Sequence, residues 1–587
     1  MRKLQLCGVI LFSFLSAFAQ DFLSENEYFY TLPDKQSLFI AEDKTAKSIS
    51  LALTFNCGAF VEDEEFDGLS FLYEKILAAH LKVELKQSVK DFATDTTLFS
   101  LFSQTSYEFV FLRVSFPEKY LDGVLKAVFR SVASPIDEKT LSGAVALSNA
   151  EYLRLHTDPF AKLDNAVGTI LWSKNFSRRL YILEWNDSTS AGLKDRMKNM
   201  TEKYFCPANS LLVVRGNVKA KDVYESVKKN FNGWGRCSIN LLGQFPGYNY
   251  RTILANVQMI FEDPLVVNPF YQIAFQGPNS FDDMKGNYCS LLLANILSNS
   301  ESRLSEYLRD SCHLASVVLQ NEMLRYISQL SLRFTPDSGY VAEGYPCFLE
   351  FLRGADDSLV DEPSLEAAKV SAIAAYNKNK ADANEHVFLI SRFWKSISIN
   401  EYNTFEDSIR ATSLADMRAF MEKYFRHRKH VAALSISPVL RDSLKIDSVF
   451  TNTATSVSDY SMHFLRNTAK FSSAADDSIF NSLVQFLKLN PEVKIKVNGN
   501  CHKDELLEVT DKEMFSWVHS HEHFVMNPPS LIKKKKFRLD VYRSLTVIKK
   551  LNELGIGIER LFGTGMLVRS PEEPETHQTV RCSEMIN

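Results

Sequence analysis

The 587-residue chain has no C-x-x-C pair and, beyond its first twenty residues, no uninterrupted apolar stretch of the roughly 18 residues that a membrane-spanning helix requires. The first absence excludes a metal ribbon built on paired cysteines, and the second excludes a transmembrane helix in the processed chain. A dominant sign of charge is missing too. With 67 Lys and Arg against 71 Asp and Glu the net charge is −4, so no global attraction favours DNA, RNA or an anionic membrane, and nucleic acid is set aside as a partner. Cysteines are sparse. Without Cys7 of the leader there remain Cys57, Cys206, Cys237, Cys289, Cys312, Cys347, Cys501 and Cys582, too scattered for a dense disulfide framework. Isolated bridges and buried free thiols both fit that spacing.

What is present is an ordinary globular composition, 45% hydrophobic and 24% charged, and a length that suits several domains. Arg2 and Lys3, an apolar stretch over 4–18 and Ala17-Phe18-Ala19 before Gln20 have the layout of a secretory signal peptide, residues 1–19. The processed protein is expected to be exported. Cys7 lies inside the apolar stretch, which argues against a lipid-modified cysteine.

Strands followed by helices recur along the chain. Residues 48–55 alternate as a half-buried strand, and Gly58 with the acidic stretch 62–65 marks its exit. Leu69, Leu72, Ile76 and Leu77, with Tyr73 and His80, recur at three- and four-residue spacing and predict a helix over 68–81. Strand 109–116, helices 119–132 and 141–155, strand 211–214 and helix 220–231 complete a first unit. A second repeats the order with strand 270–275, helix 286–297, strand 330–334, helix 364–377 and strand 431–436. Two tandem α+β sandwiches, 20–240 and 241–442, are the simplest architecture, and the Ser-, Thr- and Asp-rich stretch 443–460 is the expected linker.

The order of residues is itself informative. Asp67-Gly68-Leu69-Ser70-Phe71-Leu72-Tyr73-Glu74-Lys75, after the strand ending near Gly58, resembles the inverted zinc-motif helix of the insulinase and mitochondrial-processing-peptidase family. Tyr204-Phe205-Cys206-Pro207-Ala208-Asn209 before Val213-Val214-Arg215-Gly216 resembles that family's end-of-domain strand. Ser302-Arg303-Leu304 and Leu308-Arg309 resemble its C-terminal half, so the resemblance covers roughly 27–440.

That resemblance implies a metallopeptidase fold and a zinc site made by two histidines one helical turn apart, with a glutamate base beside the second. Here Phe71 and Lys75 stand at the histidine positions, Glu74 keeps the place of the base, and Glu151 falls at the third ligand. A phenyl ring cannot coordinate a metal and an ammonium repels one, so neither metal nor cofactor is expected, and hydrolysis by the family mechanism is expected to be absent. Lys75 is expected to replace the cation structurally by balancing Glu74 or Glu151 or both; the alternative is a lysine directed to solvent. The family's substrate-holding arginine is matched by Arg309, but Ser316 stands where its tyrosine would be, and Arg309 equally suits a surface ion pair.

Residues 461–587 follow another pattern: helix 475–489, strand 493–497, helix 541–554 ended by Gly555, and a final strand near 580–586. Leu489-Asn490-Pro491-Glu492-Val493-Lys494-Ile495-Lys496-Val497-Asn498-Gly499 and Leu539-Asp540-Val541-Tyr542-Arg543-Ser544 resemble the OmpA-like domain that binds peptidoglycan. In that family an aspartate and an arginine clamp the diaminopimelate zwitterion. Arg543 matches the arginine, whereas His502 stands at the aspartate, with Asp504 and Asp511 as candidate substitutes. The lysine run 533–536 reads as a solvated face, and His519, His521 and His523 as a polar exposed loop rather than a metal site.

The expected protein is therefore of α+β class: two tandem insulinase-like α/β sandwiches followed by a small OmpA-like βαβ-type domain. Its expected role is that of a non-catalytic periplasmic or outer-membrane-associated scaffold or accessory subunit, in contact with envelope proteins and peptidoglycan. The alternatives are the silent partner of an active insulinase-like zinc protease, or a divergent zinc peptidase.

Overall fold

The computed structural model describes residues 24–584 apart from 63–65, 173–181, 187–188, 232, 236–252, 254–255, 327, 355–356, 427, 445, 447–460, 473, 490–493, 503–504, 506–507, 521–531, 534–535 and 569–578. The expected signal peptide and most of the expected linker lie outside the described residues. The chain divides into two compact units, Met1–Thr252 with Ile260–Ile446, and Ile253–Met259 with Asp447–Asn587.

Alternating apolar runs build two sheets in the first unit. One contains β1 (Glu27–Thr31), β2 (Ser37–Glu42), β3 (Ile49–Phe55), β4 (Ser100–Thr105), β5 (Val110–Phe116) and β6 (Ser210–Gly216) in the order β1-β2-β6-β3-β5-β4. The other contains β7 (Val257–Glu262, of which Ile260–Glu262 belong to this unit), β8 (Phe270–Gln276), β9 (Leu314–Asn321), β10 (Gln329–Pro336) and β11 (Val431–Ile436) in the order β7-β11-β8-β10-β9. Apart from the extra edge strand β1, the last strand of each half inserts next to the first strand of the shared five, β6 beside β2 and β11 beside β7. That shared order is the internal repeat. β3 runs antiparallel to β5 from Ile49 opposite Phe116, and β8 antiparallel to β10 with Phe275 opposite Leu330.

The sequence divides this body into two domains at 240/241, yet the two halves interlock as one unit. The helix Pro159–Leu171 of the first half packs on β8 and β11, while the helix Ala383–Ser396 of the second packs on β3, β5 and β6. Each half therefore supplies a layer that covers the other's sheet. Polar contacts fix the exchange. Thr54 donates to Ser391 at 2.8 Å, Trp172 Nε1 to Gln329 at 3.0 Å, and Gln272 Nε2 to Asp164 at 2.8 Å. Ser50 and Ser115 both donate to Asn384 Oδ1, and Lys162 pairs with Asp263.

In the second unit β12 (Ser461–His463), β13 (Ile495–His502), β17 (Leu561–Val568) and β18 (Thr579–Glu584) form a sheet in the order β12-β18-β13-β17. β13 and β17 are parallel, joined through the helix Leu539–Glu553, whose Val541, Leu545, Ile548 and Leu551 enter the core. Gly499 is forced by close approach: a Cβ there would lie 1.8 Å from the Asp540 carbonyl oxygen. Short strands β14 (Glu508–Thr510), β15 (Ile532–Lys533) and β16 (Lys536–Arg538) form a separate small sheet.

Candidate functional site

The helix carrying the motif runs over Leu69–Ser88. Gly68 precedes it with φ +72°, a left-handed conformation suited to glycine, and no side chain of the capping residue covers the helix end. Glu62 does so instead, accepting from the Gly68 and Ser70 amides at 3.0 and 2.8 Å. Burial pushes the Glu62 carboxyl up to about 7 against these amide bonds. Leu69, Leu72, Ile76 and Leu77 turn into the core, which leaves Phe71, Glu74 and Lys75 on the face towards β4 and the helix Glu138–Thr157.

Glu74 is 1% exposed and fully occupied as an acceptor. Lys75 Nζ lies 3.1 and 3.2 Å from its two oxygens, Ser103 Oγ donates to Oε1, and Thr105 Oγ1 donates to Oε2 at 3.2 Å. Ser103 and Thr105 are two residues apart on β4, so they share one face. The sequence shows the alternation of 100–105, but the residues that would mark it as part of a site are ordinary hydroxyls. Lys75 Nζ also sits 4.3 Å from the centroid of the Phe71 ring, one helical turn back. Its side chain is 24% exposed, against the alternative of a lysine free in solvent.

Glu151 belongs to the helix Glu138–Thr157 and accepts from Arg154 Nη2 at 2.7 Å and Nε at 2.9 Å. These bonds, with the charges of Arg154 and Lys75, hold its carboxyl below the ordinary range. Charges thus alternate outward from the core as Glu74, Lys75, Glu151 and Arg154. The donor set does not fit a zinc ion: the two positions that would supply imidazoles present a hydrocarbon ring and an ammonium. Among the described residues no group of three or more His, Cys, Asp or Glu is arranged to hold a metal.

The remaining candidates disperse. Arg309 is at the end of the helix Arg303–Asp310, pairs with Asp310 at 2.8 Å and donates to the Ser300 carbonyl, contacts local to its own helix. Ser316 lies on β9 opposite Thr335. In the second unit His502 ends β13 opposite Val568, extending a strand that the sequence stops at 497 because the polar run 498–502 breaks the apolar alternation. Asp511 caps the helix Lys512–Ser520 and accepts from Tyr542 at 2.6 Å, while Asp504 lies outside the described residues. Arg543 is fully buried, and its carboxylate partner is Glu505, at 2.6 Å. His519 is in the helix Lys512–Ser520 rather than a loop, because Asp511 starts a helix there; His521 and His523 lie outside the described residues. Of the lysine run, Lys533 and Lys536 are paired in β15 and β16, and Lys536 salt-bridges Glu508 at 2.9 Å.

The fold of the first unit is similar to that of M16-like peptidases. Residues 193–371 match the family model described as "Peptidase M16 inactive domain". Among solved structures, a protease from Helicobacter pylori is 15% identical with a TM-score of 0.59, the match covering 70% of this chain and 99% of that one. The first half of the periplasmic protease PqqL from Escherichia coli is 12% identical with a TM-score of 0.57 (72% and 94% covered). A chain of Complex III2 from Candida albicans is 14% identical with a TM-score of 0.56 (71% and 97%). No curated protein matches the sequence. The fold is thus insulinase-like. No helix among the described residues is long and apolar enough to cross a membrane.

Proposed function

We propose that this chain is a catalytically silent insulinase-like protein that acts as an exported scaffold or accessory subunit. The observation that carries the proposal is the Lys75 ammonium seated on Glu74: the general base of the family's motif is neutralised by a tethered cation and held by Ser103 and Thr105. A carboxylate so occupied has no polarised water to deprotonate.

Export is supported by the leader-like residues 1–19 and by disulfide chemistry. Cys312 is bonded to Cys347, and Cys206 is also disulfide-bonded, as suits an oxidising compartment. The periplasmic location in the name of PqqL is in keeping with this. The strand order β12-β18-β13-β17, the parallel β13–β17 pair and the close approach at Gly499 support an OmpA-like tail directed to peptidoglycan. A second role, as silent partner of an active zinc protease, is in keeping with the neighbours, which include both a chain of Complex III2 and the periplasmic protease PqqL.

The test is purification of the full chain from an exporting host, followed by metal analysis, a peptide-cleavage assay and a pull-down from envelope extract. No stoichiometric zinc and no cleavage are expected. Zinc bound in the first unit, or peptide hydrolysis lost in Glu74→Gln, overturns the proposal.

A further inference from the structure

Arg543 is the largest fully buried side chain among the described residues, and all five of its N–H donors are engaged. Nε donates to the Thr468 carbonyl at 2.9 Å. Nη1 donates to the Asn500 carbonyl at 2.8 Å and to Glu505 Oε2 at 3.0 Å, and Nη2 to Glu505 Oε1 at 2.6 Å and the Leu465 carbonyl at 3.3 Å. The Phe464 ring lies 5.5 Å from the guanidinium carbon. Glu505 thus grips the guanidinium with both oxygens in the fork geometry by which arginine takes a free carboxylate.

The socket is also built around the carboxylate. Asn467 has φ +59°, a conformation that costs a non-glycine residue energy, and its amide donates to Glu505 Oε1 at 3.0 Å. Three carbonyls, one amide and one ring therefore hold an arginine–carboxylate pair with both side chains at 1% exposure or less.

We propose that Arg543 and its surrounding carbonyls form a carboxylate socket and that Glu505 fills it as a tethered ligand, closing the tail to free carboxylates until Glu505 is displaced. The competing ligand, a stem-peptide carboxylate of the cell wall, rests on the wall-directed reading of the tail. The socket itself does not. A carboxylate ligand has no unengaged N–H to bind, so it must replace Glu505 rather than add to it.

The experiment uses the full chain, wild type and Glu505→Ala, with two readouts: thermal midpoint in sodium propionate against sodium chloride at equal ionic strength, and co-sedimentation with purified sacculi. Propionate supplies the same carboxylate on one carbon more than the substitution to alanine removes. The expected result is a lowered midpoint for the variant that propionate restores and chloride does not, no such response in the wild type, and several-fold more variant than wild type sedimenting with sacculi. No propionate-specific response in the variant overturns the socket. Equal sedimentation of both proteins overturns the plug and leaves wall binding standing. Propionate rescue without sedimentation keeps the socket and removes the wall as its ligand. If Glu505→Ala does not fold, Glu505→Gln keeps the shape without the charge; it is expected to sediment more than wild type, and equal sedimentation overturns the plug.

Discussion

Replacing Lys75 by methionine keeps the stem over Phe71 but removes the ammonium from Glu74. Breaking a buried pair by deleting one partner costs about 3–5 kcal/mol when both groups are fully buried. Lys75 is 24% exposed and Glu74 keeps Ser103 and Thr105 as donors, which lowers the expected loss to about 2 kcal/mol. The contact with the Phe71 ring adds about 0.5–1 kcal/mol. Urea unfolding of Lys75→Met should therefore show a loss of about 2–3 kcal/mol in the transition of the first unit. In Glu74→Gln/Lys75→Met much of that loss should vanish, because a neutral amide needs no counter-ion. The double-mutant cycle should give a coupling of about 2 kcal/mol. A loss below about 0.5 kcal/mol in the single variant, or additive losses in the cycle, would refute the view that the ammonium balances the old base.

Three further outcomes are expected. Phe71→His with Lys75→His should place two imidazoles one turn apart beside Glu151 and bind one zinc per chain by metal analysis, whereas the wild type binds none. Burial opposes ionisation of Glu27, but hydrogen bonds with His386 and Tyr402 and the charge of Lys380 outweigh it and bring the carboxyl to about 2 from 4.5. Because this value is depressed on folding, the stabilisation of about 3 kcal/mol is present above pH 4.5 and is lost as pH falls from there towards 2. Acid unfolding of Glu27→Gln should lack that limb, and an unchanged profile would count against it. The Cys312–Cys347 bridge spans a sequence separation of 35, so Cys312→Ser with Cys347→Ser should cost about 4 kcal/mol in chain entropy. Equal thermal midpoints for this variant and the oxidised wild type would contradict that estimate.

The sequence by itself determined the elements whose pattern is local. The strand β11 and the helix Leu539–Glu553 lie where apolar periodicity predicts them, within a few residues at their ends, and the helix Leu69–Ser88 starts where predicted but runs seven residues past the expected end at 81, because burial of one face imposes a period of 2 or 3.6 without marking where the helix stops. The motif helix was legible, and so were the residues Phe71, Glu74 and Lys75 on it. Tertiary structure alone decided what those residues touch. Ser103 and Thr105 reach Glu74 only because β4 lies against the motif helix, and Glu505 meets Arg543 across 38 positions, a pairing that no local pattern in the sequence indicates. The exchange of the Pro159–Leu171 and Ala383–Ser396 helices between halves was likewise invisible. An amphipathic pattern states that a face must be buried but not which sheet will bury it, since hydrophobic burial is non-directional and the choice is made by the packing of the whole unit.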